Sequence, residues 1–218
     1  MIIAVDGPAG AGKSTVAKLL AKQLDFLYID TGAMYRALTL KVIDNNVDTK
    51  DAQALTKTAR NSKIDLVYSR DEGLKVFLDG QDVSKQIRQP RITAVVSDIA
   101  KVKQVREIMV ELQRKLGKDK DVVLDGRDIG TVVFPGADRK FYIDAQFKER
   151  ARRRYKELIE AKQNVTIENI EADLGNRDAI DSTREVAPLK KAADAIYIDT
   201  TGMSIDEVVR TMLKYVKE

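Results

Sequence analysis

Three residue types that carry much enzyme chemistry are absent from this chain of 218 residues: cysteine, histidine and tryptophan. Without cysteine there are no disulfides, thiolate metal sites or thiol nucleophiles, which is compatible with a reducing compartment. Without histidine there is no Ser-His-Asp triad, no histidine-ligated metal and no phosphohistidine relay. Any chemistry must therefore rest on carboxylates, lysine, arginine, hydroxyl groups and backbone N–H groups, an inventory that suits phosphoryl transfer.

Long hydrophobic runs are also absent. No apolar stretch approaches the ~20 residues that span a bilayer, and the N-terminus, MIIAVDGP, has neither a charged segment nor a cleavage site. We therefore expect a cytoplasmic protein with no membrane partner. The net charge of +4, from 38 basic and 34 acidic residues, fits an anionic small substrate as well as a weak nucleic-acid surface.

The order of hydrophobic patterns predicts an α/β fold. Buried parallel strands are indicated by five runs rich in Val, Ile, Leu and Tyr, at residues 1–6, 26–30, 121–126, 140–145 and 195–199. Helical periodicity separates them, at residues 14–24, 33–43, 94–116, 148–161 and 204–216. This alternation predicts one five-stranded parallel sheet flanked by helices.

A different pattern interrupts this alternation at residues 63–84. KIDLVYS (63–69) and LKVFLDG (74–80) alternate with a shorter period, and RDEG (70–73) separates them. We therefore expect an antiparallel hairpin or three-stranded ribbon inserted at 60–97, between core segments 1–59 and 98–218.

The segment GPAGAGKST matches the phosphate-binding pattern G-x-x-x-x-G-K-[ST], between a strand and a helix as the pattern requires. Lys13 can reach the outer phosphates of a nucleotide and Ser14 can ligate magnesium. A glycine-rich turn with no ligand is the alternative, which the flanking context disfavours. We predict that ATP binds to the whole loop: Gly7, Pro8, Ala9, Gly10, Ala11, Gly12, Lys13, Ser14 and Thr15.

A regulatory GTPase is disfavoured as the class of protein. It would need a base-reading Asn-Lys-x-Asp segment, and NNVD at 45–48 lacks the lysine.

The second predicted strand ends in DTGAMYR at residues 30–36. Thr31 is expected to cap the following helix, and Arg36 lies one turn into it. Because ligands of open α/β sheets bind at the carboxyl ends of strands, Arg36 could meet a phosphate opposite the loop. An arginine that extends over the helix surface is the alternative.

The next core strand ends in DGRDIG at residues 125–130. Asp125 stands where a P-loop protein usually holds its metal-organising acid. Arg127 and Asp128 place opposite charges at the same strand end, where they could also form a simple ion pair beside a turn.

Taken together, four segments resemble the bacterial cytidylate kinases. GPAGAGKST, DTGAMYRA, DGRDIGTVVFP and REVAPLKKAADA occur in that family's order and spacing over essentially the whole chain. Adenylate kinases and eukaryotic UMP/CMP kinases carry Gly-Phe-Pro-Arg where this chain has DGRD, and thymidylate kinases lack the antiparallel insert. The resemblance implies a P-loop core, a nucleoside-monophosphate-binding insert at 60–97 and a basic helical lid at 148–170.

The same resemblance implies individual roles. Arg36 and Arg127 would hold the CMP phosphate, with Lys13, Asp128 and Arg184 completing the catalytic set. CMP would be bound by Thr31, Arg36, Ser97, Arg106, Arg127, Asp128, Arg177, Asp181 and Arg184, of which Ser97, Arg106 and Asp128 read the cytosine and Arg177, Asp181 and Arg184 contact the ribose and phosphate region. Ser14 and Asp125 would hold the metal, and Arg150 and Arg154 of the lid would contact ATP.

Spacing leaves alternatives open for some of these residues. Arg177 and Asp181 are four apart on a helix and could equally form a solvated ion pair. The lid arginines Arg150, Arg153 and Arg154 could form a solvated charged face with neighbouring glutamates.

A shared base site for Ser97 and Arg106 places a demand on the backbone. The two residues are nine apart, which puts them on opposite sides of one straight helix. We therefore predict a break in that helix near Lys101 to Lys103.

These features predict transfer of the γ-phosphoryl group of ATP to CMP, and to dCMP, within pyrimidine nucleotide metabolism. A monophosphate supplies its own nucleophile because its second pKa is about 6, so no general base is needed. We expect ATP and Mg²⁺ as cofactors, a monomer, and no nucleic-acid partner. One alternative is a kinase for UMP, dTMP or a small metabolite. Another is a nucleotide-dependent RNA-binding protein, which the absence of tryptophan for base stacking disfavours.

Overall fold

The computed structural model describes residues 1–69 and 73–217. Its strands are β1 (Ile2–Asp6), β2 (Leu27–Asp30), β3 (Ile64–Ser69), β4 (Gly73–Leu78), β5 (Gln81–Asp82), β6 (Val122–Asp125), β7 (Arg139–Asp144) and β8 (Ile196–Asp199). Its α-helices are α1 (Lys13–Leu24), α2 (Thr31–Asp44), α3 (Ala52–Arg60), α4 (Pro90–Ala100), α5 (Lys103–Gly117), α6 (Phe147–Glu160), α7 (Ile167–Thr183) and α8 (Ile205–Lys217).

Five strands form a parallel sheet in the order β2-β6-β1-β7-β8, which confirms the predicted α/β fold. The register pairs Val5 of β1 and Asp30 of β2 with Asp125 of β6, so three strand ends share one edge of the sheet. The segments that follow β1, β2 and β6 therefore emerge side by side.

Alternating side chains of the central strands pack against different helices. Ile3 and Val5 face a core shared with α1 and α8, whereas Ala4 faces a core shared with α5. Because both faces are covered, these strands are apolar along their whole length, which is why they are visible in the sequence.

The insert is a second sheet, in which β3, β4 and β5 run antiparallel. Its inner side chains, including Ile64 and Val76, join a separate core built with α2 to α5. Of the segment RDEG that separates the two alternating runs, residues 70–72 lie outside the described residues, and Gly73 begins β4.

The predicted break between Ser97 and Arg106 is confirmed. Helix α4 ends at Ala100, Val102 has an extended backbone with φ −70° and ψ 119°, and α5 begins at Lys103. The break turns Arg106 back toward the end of α4, where its Nη1 donates to the backbone oxygen of Ala100 at 3.0 Å.

In the described part of the chain, none of the helices combines the length and the apolar character needed to cross a membrane.

Candidate active site

The phosphate-binding loop follows β1 and is shaped by close backbone packing. Gly7 has φ +148°, and a Cβ there would lie 1.9 Å from the backbone oxygen of Ile143, so only glycine fits. Gly12, at φ +88°, precedes α1 and gives no side-chain cap. The first turn of α1 also carries no acidic residue, so its backbone N–H groups are available to an anion.

Lys13 lies inside this loop. Its ammonium is buried and donates to the backbone oxygen of Pro8 at 2.6 Å. Burial, reinforced by the positive charge of Arg127, lowers the pKa of Lys13 well below its usual value. A phosphate bound in the loop would supply the counter-charge that favours the ammonium form.

Ser14 and Asp125 meet beside the loop. The Ser14 hydroxyl donates to Oδ2 of Asp125 at 2.6 Å, and the Tyr28 hydroxyl donates to Oδ1 at 2.8 Å. Burial, followed by the charge of Asp30, raises the pKa of Asp125 to about 7. A hydroxyl beside one carboxylate fits Mg²⁺, which prefers oxygen ligands and takes few from protein when nucleotide phosphates supply others.

Ion pairs between buried or partly buried side chains connect the acceptor wall, which consists of Tyr35, Arg36, Arg106, Arg127, Asp128, Arg177, Asp181 and Arg184. Arg106 pairs with Asp128 at 2.5 Å, and Arg127 pairs with Asp181 at 2.8 Å. Arg184 lies 3.4 Å from Asp181 and 3.6 Å from Asp128, which closes the network. The alternative of a simple Arg127 to Asp128 pair is wrong, because each residue pairs with a distant element instead.

Arg177 does not form the solvated pair with Asp181 that spacing allowed. Asp181 is buried and takes its partners from Arg127 and Arg184. The Nε of Arg177 is buried without a hydrogen-bond partner among the described residues.

Several buried polar atoms of this wall have no hydrogen-bond partner within the described residues: Tyr35 Oη, Arg106 Nε, Arg177 Nε and Arg184 Nη2. Because buried polar groups are normally hydrogen-bonded, four such groups in one region indicate a surface built for a polar ligand. Tyr35 was not among the predicted residues. Its ring lies under the guanidinium of Arg106 at 5.5 Å, which a sequence pattern does not reveal.

Arg36 does not extend into solvent, so that alternative is wrong. Its Nη1 donates to Thr93 Oγ1 at 2.8 Å and to the Ile87 backbone oxygen at 3.4 Å. Burial, with the charge of Arg177 next, lowers the pKa of Arg36 to about 10. Ser97 lies on α4, the helix that also carries Thr93, and is partly buried.

Thr31 does not cap α2 as predicted. The cap is Asp30, whose Oδ1 accepts from the Ala33 backbone N–H at 2.8 Å. The Thr31 hydroxyl is buried and donates to the backbone oxygen of Asp125 at 2.7 Å, so it joins the ends of β2 and β6.

Asp6 is a site residue that the sequence analysis missed. Its carboxylate accepts from the backbone N–H of Ile129 at 2.8 Å and of Gly130 at 2.7 Å. Burial raises the pKa of Asp6 to about 6 against the effect of these hydrogen bonds, and the charge of Asp128 adds to the rise. Asp6 thus joins the start of the phosphate-binding loop to the loop that carries Asp128.

The lid arginines of α6 occupy three different environments. Arg150 is buried and its Nη1 donates to the Ala9 backbone oxygen at 2.9 Å and to Asp178 at 2.5 Å. Arg153 donates to the hydroxyl and backbone oxygen of Thr200 at 2.9 and 2.7 Å. Arg154 pairs with Glu157 at 2.8 Å. The predicted alternative of a charged face with neighbouring glutamates holds for Arg153 and Arg154, which pair with Glu149 and Glu157, and not for Arg150, which contacts the phosphate-binding loop itself.

A phosphate-binding loop beside a wall of buried and partly buried arginines, at the carboxyl ends of a parallel sheet, defines a P-loop phosphotransferase with nucleotide substrates. The family model described as "Cytidylate kinase" matches residues 3–218. The chain therefore belongs to the cytidylate kinase family, and the resemblance found in its motifs is confirmed.

Individual relatives agree with this assignment. A cytidylate kinase of Fusobacterium nucleatum is 48% identical over 218 residues, which cover 100% of this chain and 98% of the relative. A cytidylate kinase of Clostridioides difficile is 50% identical over 213 residues, 98% of this chain and 96% of the relative. Among solved structures, a protein from Eubacterium ventriosum with 16% identity superposes with a TM-score of 0.54, covering 100% of this chain and 98% of that one, and shows the fold alone.

Proposed function

We propose that the protein transfers the γ-phosphoryl group of ATP to CMP, and also to dCMP, and so serves pyrimidine nucleotide metabolism. The observation that carries this proposal is the two-sided site. The phosphate-binding loop follows β1, while Arg127 follows the neighbouring strand β6 and Arg36 follows β2, on the far side of β6. The relatives of 48% and 50% identity, which are named cytidylate kinases, support CMP as the acceptor.

On the donor side, the ammonium of Lys13 and backbone N–H groups of the loop at residues 7–15, in which Pro8 has none, bind the ATP phosphates. Ser14 and Asp125 would hold Mg²⁺, which supplies charge neutralisation at the donor phosphates when it is bound. The N-terminus of α1 adds its partial positive charge to the same region.

On the acceptor side, Arg36 and Arg127 hold the CMP phosphate opposite the loop. Asp128, Arg106 and Ser97 contact the cytosine. Arg177, Asp181 and Arg184 contact the ribose and phosphate region. Thr31 supports the wall because its hydroxyl donates to the backbone oxygen of Asp125. The carboxylate of Asp128 accepts hydrogen bonds, so it can distinguish the amino group of cytosine from the oxygen of uracil.

The chemistry then consists of placement and charge neutralisation. The CMP phosphate is mostly dianionic at neutral pH, because its second pKa is about 6, and it attacks without a general base. Lys13, Arg127 and Arg184 stabilise charge on the transferred group, which is the dominant contribution in reactions of this kind.

The lid completes the proposal. Residues 148–170 form the lid, 60–97 the acceptor-binding insert, and 1–59 with 98–218 the core. Arg150 and Arg154 approach ATP, and the contact of Arg150 with the Ala9 backbone already places its guanidinium against the loop. We further propose a cytoplasmic monomer that binds no nucleic acid.

One coupled assay tests the proposal. ADP release is measured with ATP and Mg²⁺ against CMP, dCMP, UMP, AMP and dTMP, and we expect CMP and dCMP to be the preferred acceptors. Equal rates of ADP release with all five monophosphates would refute the proposal, and so would a lack of ADP release with all five.

Lys13→Ala should lower kcat with CMP by at least about 10²-fold through loss of transition-state stabilisation. The matched control is Lys22→Ala, an exposed lysine of the same helix, which should leave kcat unchanged.

A further inference from the structure

The hydroxyl of Tyr28 makes a contact that the proposed mechanism does not use. Tyr28 lies on β2 with its ring buried in the core beneath α1. Its hydroxyl donates to Oδ1 of Asp125 at 2.8 Å, while Oδ2 of the same carboxylate accepts from Ser14 at 2.6 Å. The carboxylate is therefore held from two sides, by a strand and by the helix that follows the phosphate-binding loop.

The two contacts differ in rigidity. The Tyr28 ring is 3% exposed and meets the ring of Tyr68 edge to face with centroids 6.3 Å apart, so its hydroxyl cannot move unless packed rings move. Ser14 is an exposed residue with a short side chain in the first turn of α1, and its hydroxyl can rotate. When the Ser14 oxygen turns toward an ion, Tyr28 remains as the side chain that fixes the carboxylate.

Packing alone does not account for this hydroxyl. A phenylalanine ring would fill the same core space, and a hydroxyl is costly to bury unless it is hydrogen-bonded. The register explains its reach: Tyr28 pairs with Val123, two residues before Asp125 and on the same face of the sheet.

We infer that Tyr28 is a positioning residue of the donor site, which orients the Asp125 carboxylate toward Ser14 and so toward the Mg²⁺ that accompanies ATP. This inference rests on the proposed function, because it takes Ser14 and Asp125 as the residues that hold the ion. Tyr28 itself touches neither the ion nor the nucleotide.

The test compares Tyr28→Phe with Tyr68→Phe. Both substitutions remove one hydroxyl from neighbouring rings, of which Tyr28 is buried and Tyr68 is partly buried, and only the first removes the contact with Asp125. The measurement is the rise in unfolding temperature that ATP produces at increasing Mg²⁺ concentration, with no CMP present. Loss of one hydrogen bond to a charged group should raise the half-saturating Mg²⁺ concentration about tenfold for Tyr28→Phe. The Tyr68→Phe value should equal that of the wild type.

Steady-state kinetics provide the second measurement. The Mg²⁺ concentration for half-maximal ADP release should rise by the same factor in Tyr28→Phe, whereas KM for CMP stays at the wild-type value. If Tyr28→Phe lowers the unfolding temperature without nucleotide but keeps the wild-type Mg²⁺ dependence, its role is structural and the inference is overturned. If the wild-type protein shows no Mg²⁺ dependence in either measurement, the proposed metal site fails together with the inference.

Discussion

Arginines pair with carboxylates in two regions of this protein, and the pairs differ in the origin of the partner. On the acceptor wall, Arg106 reaches Asp128, 22 residues away in the chain, and the side chains are 3% and 7% exposed. On α6, Arg152 pairs with Glu149 three residues away and is 71% exposed. The helix alone brings the second pair together, whereas the first pair requires the whole fold and removes both charges from water. Burial therefore marks the pairs of the site, including the local pair of Arg184 and Asp181 at the end of α7, whose side chains are 4% and 8% exposed, whereas exposed local pairs do not mark it.

The difference between buried and exposed ion pairs can be tested by substitution, and the largest loss of stability is expected at Asp128. Asp128→Asn leaves Arg106 and Arg184 buried with one counter-charge fewer, which should cost about 3–5 kcal/mol in the free energy of unfolding. It should also reduce the preference for CMP over UMP in kcat/KM, because an amide can donate as well as accept. Denaturant unfolding and paired kinetics measure the two effects. A loss of stability below about 1 kcal/mol would show that the pair behaves like a surface pair.

Much of the fold could be predicted from the sequence, because buried parallel strands are contiguous apolar runs. Helix α3 was not predicted, since only Leu55 and Ala59 of its residues are buried and two residues form too short a stripe. The cap of α2 was misplaced by one residue because Asp30 and Thr31 are both good capping residues. Only the tertiary contact of Thr31 with Asp125 decides between them.

The site could be predicted where its residues are contiguous and not where they pair across the chain. The phosphate-binding loop is one segment, and Arg36 and Arg127 follow the ends of β2 and β6 within a few residues, so position alone indicated them. The partner of Arg127 is 54 residues away, and Asp6 accepts from Gly130 at a separation of 124 residues. No rule of sequence spacing predicts contacts between residues so far apart in the chain. The pairing depends on the order of the strands in the sheet, which the hydrophobic pattern does not specify.

Asp6 offers a pH test of the same buried region. Its pKa is raised from 3.8 to about 6, so the folded protein binds this proton more tightly than the unfolded chain does. Between about pH 6 and pH 4 this group alone makes the wild type more stable as pH falls. Asp6→Asn removes that gain, so the stability of wild type relative to the variant should increase by up to about 3 kcal/mol from pH 7 to pH 4. Denaturant unfolding at several pH values measures it, and a difference independent of pH would contradict the expectation.

Substitution of Arg36 tests the same comparison through substrate binding, because its effect on KM can be set against that of an exposed arginine. Arg36→Ala should raise KM for CMP about 10- to 100-fold, the value of one or two charged hydrogen bonds, and leave KM for ATP unchanged. The control is Arg91→Ala, which removes an exposed pair with Asp44 at 2.9 Å and should change neither constant. Equal increases in both KM values for Arg36→Ala would place that residue outside the acceptor wall.

The smallest effect is expected at Glu149, the counterpart of Asp128 on α6. Glu149→Gln weakens the contacts with Arg152 and Arg153, which are local to the helix, and should cost no more than about 1 kcal/mol. Hydrogen bonds from Arg152 and then Arg153 lower the pKa of Glu149 to about 2, so these pairs stay intact throughout pH 5 to 8. The effect of the variant on the free energy of unfolding should therefore be constant over that range, unlike that of Asp6→Asn.

The same variant should leave kcat with CMP near the wild-type value. Arg153 keeps its bonds to Thr200, so α6 should remain attached to the core. A large loss of kcat would mean that the local pairs orient the lid arginines, and the distinction between the two regions would then be one of degree.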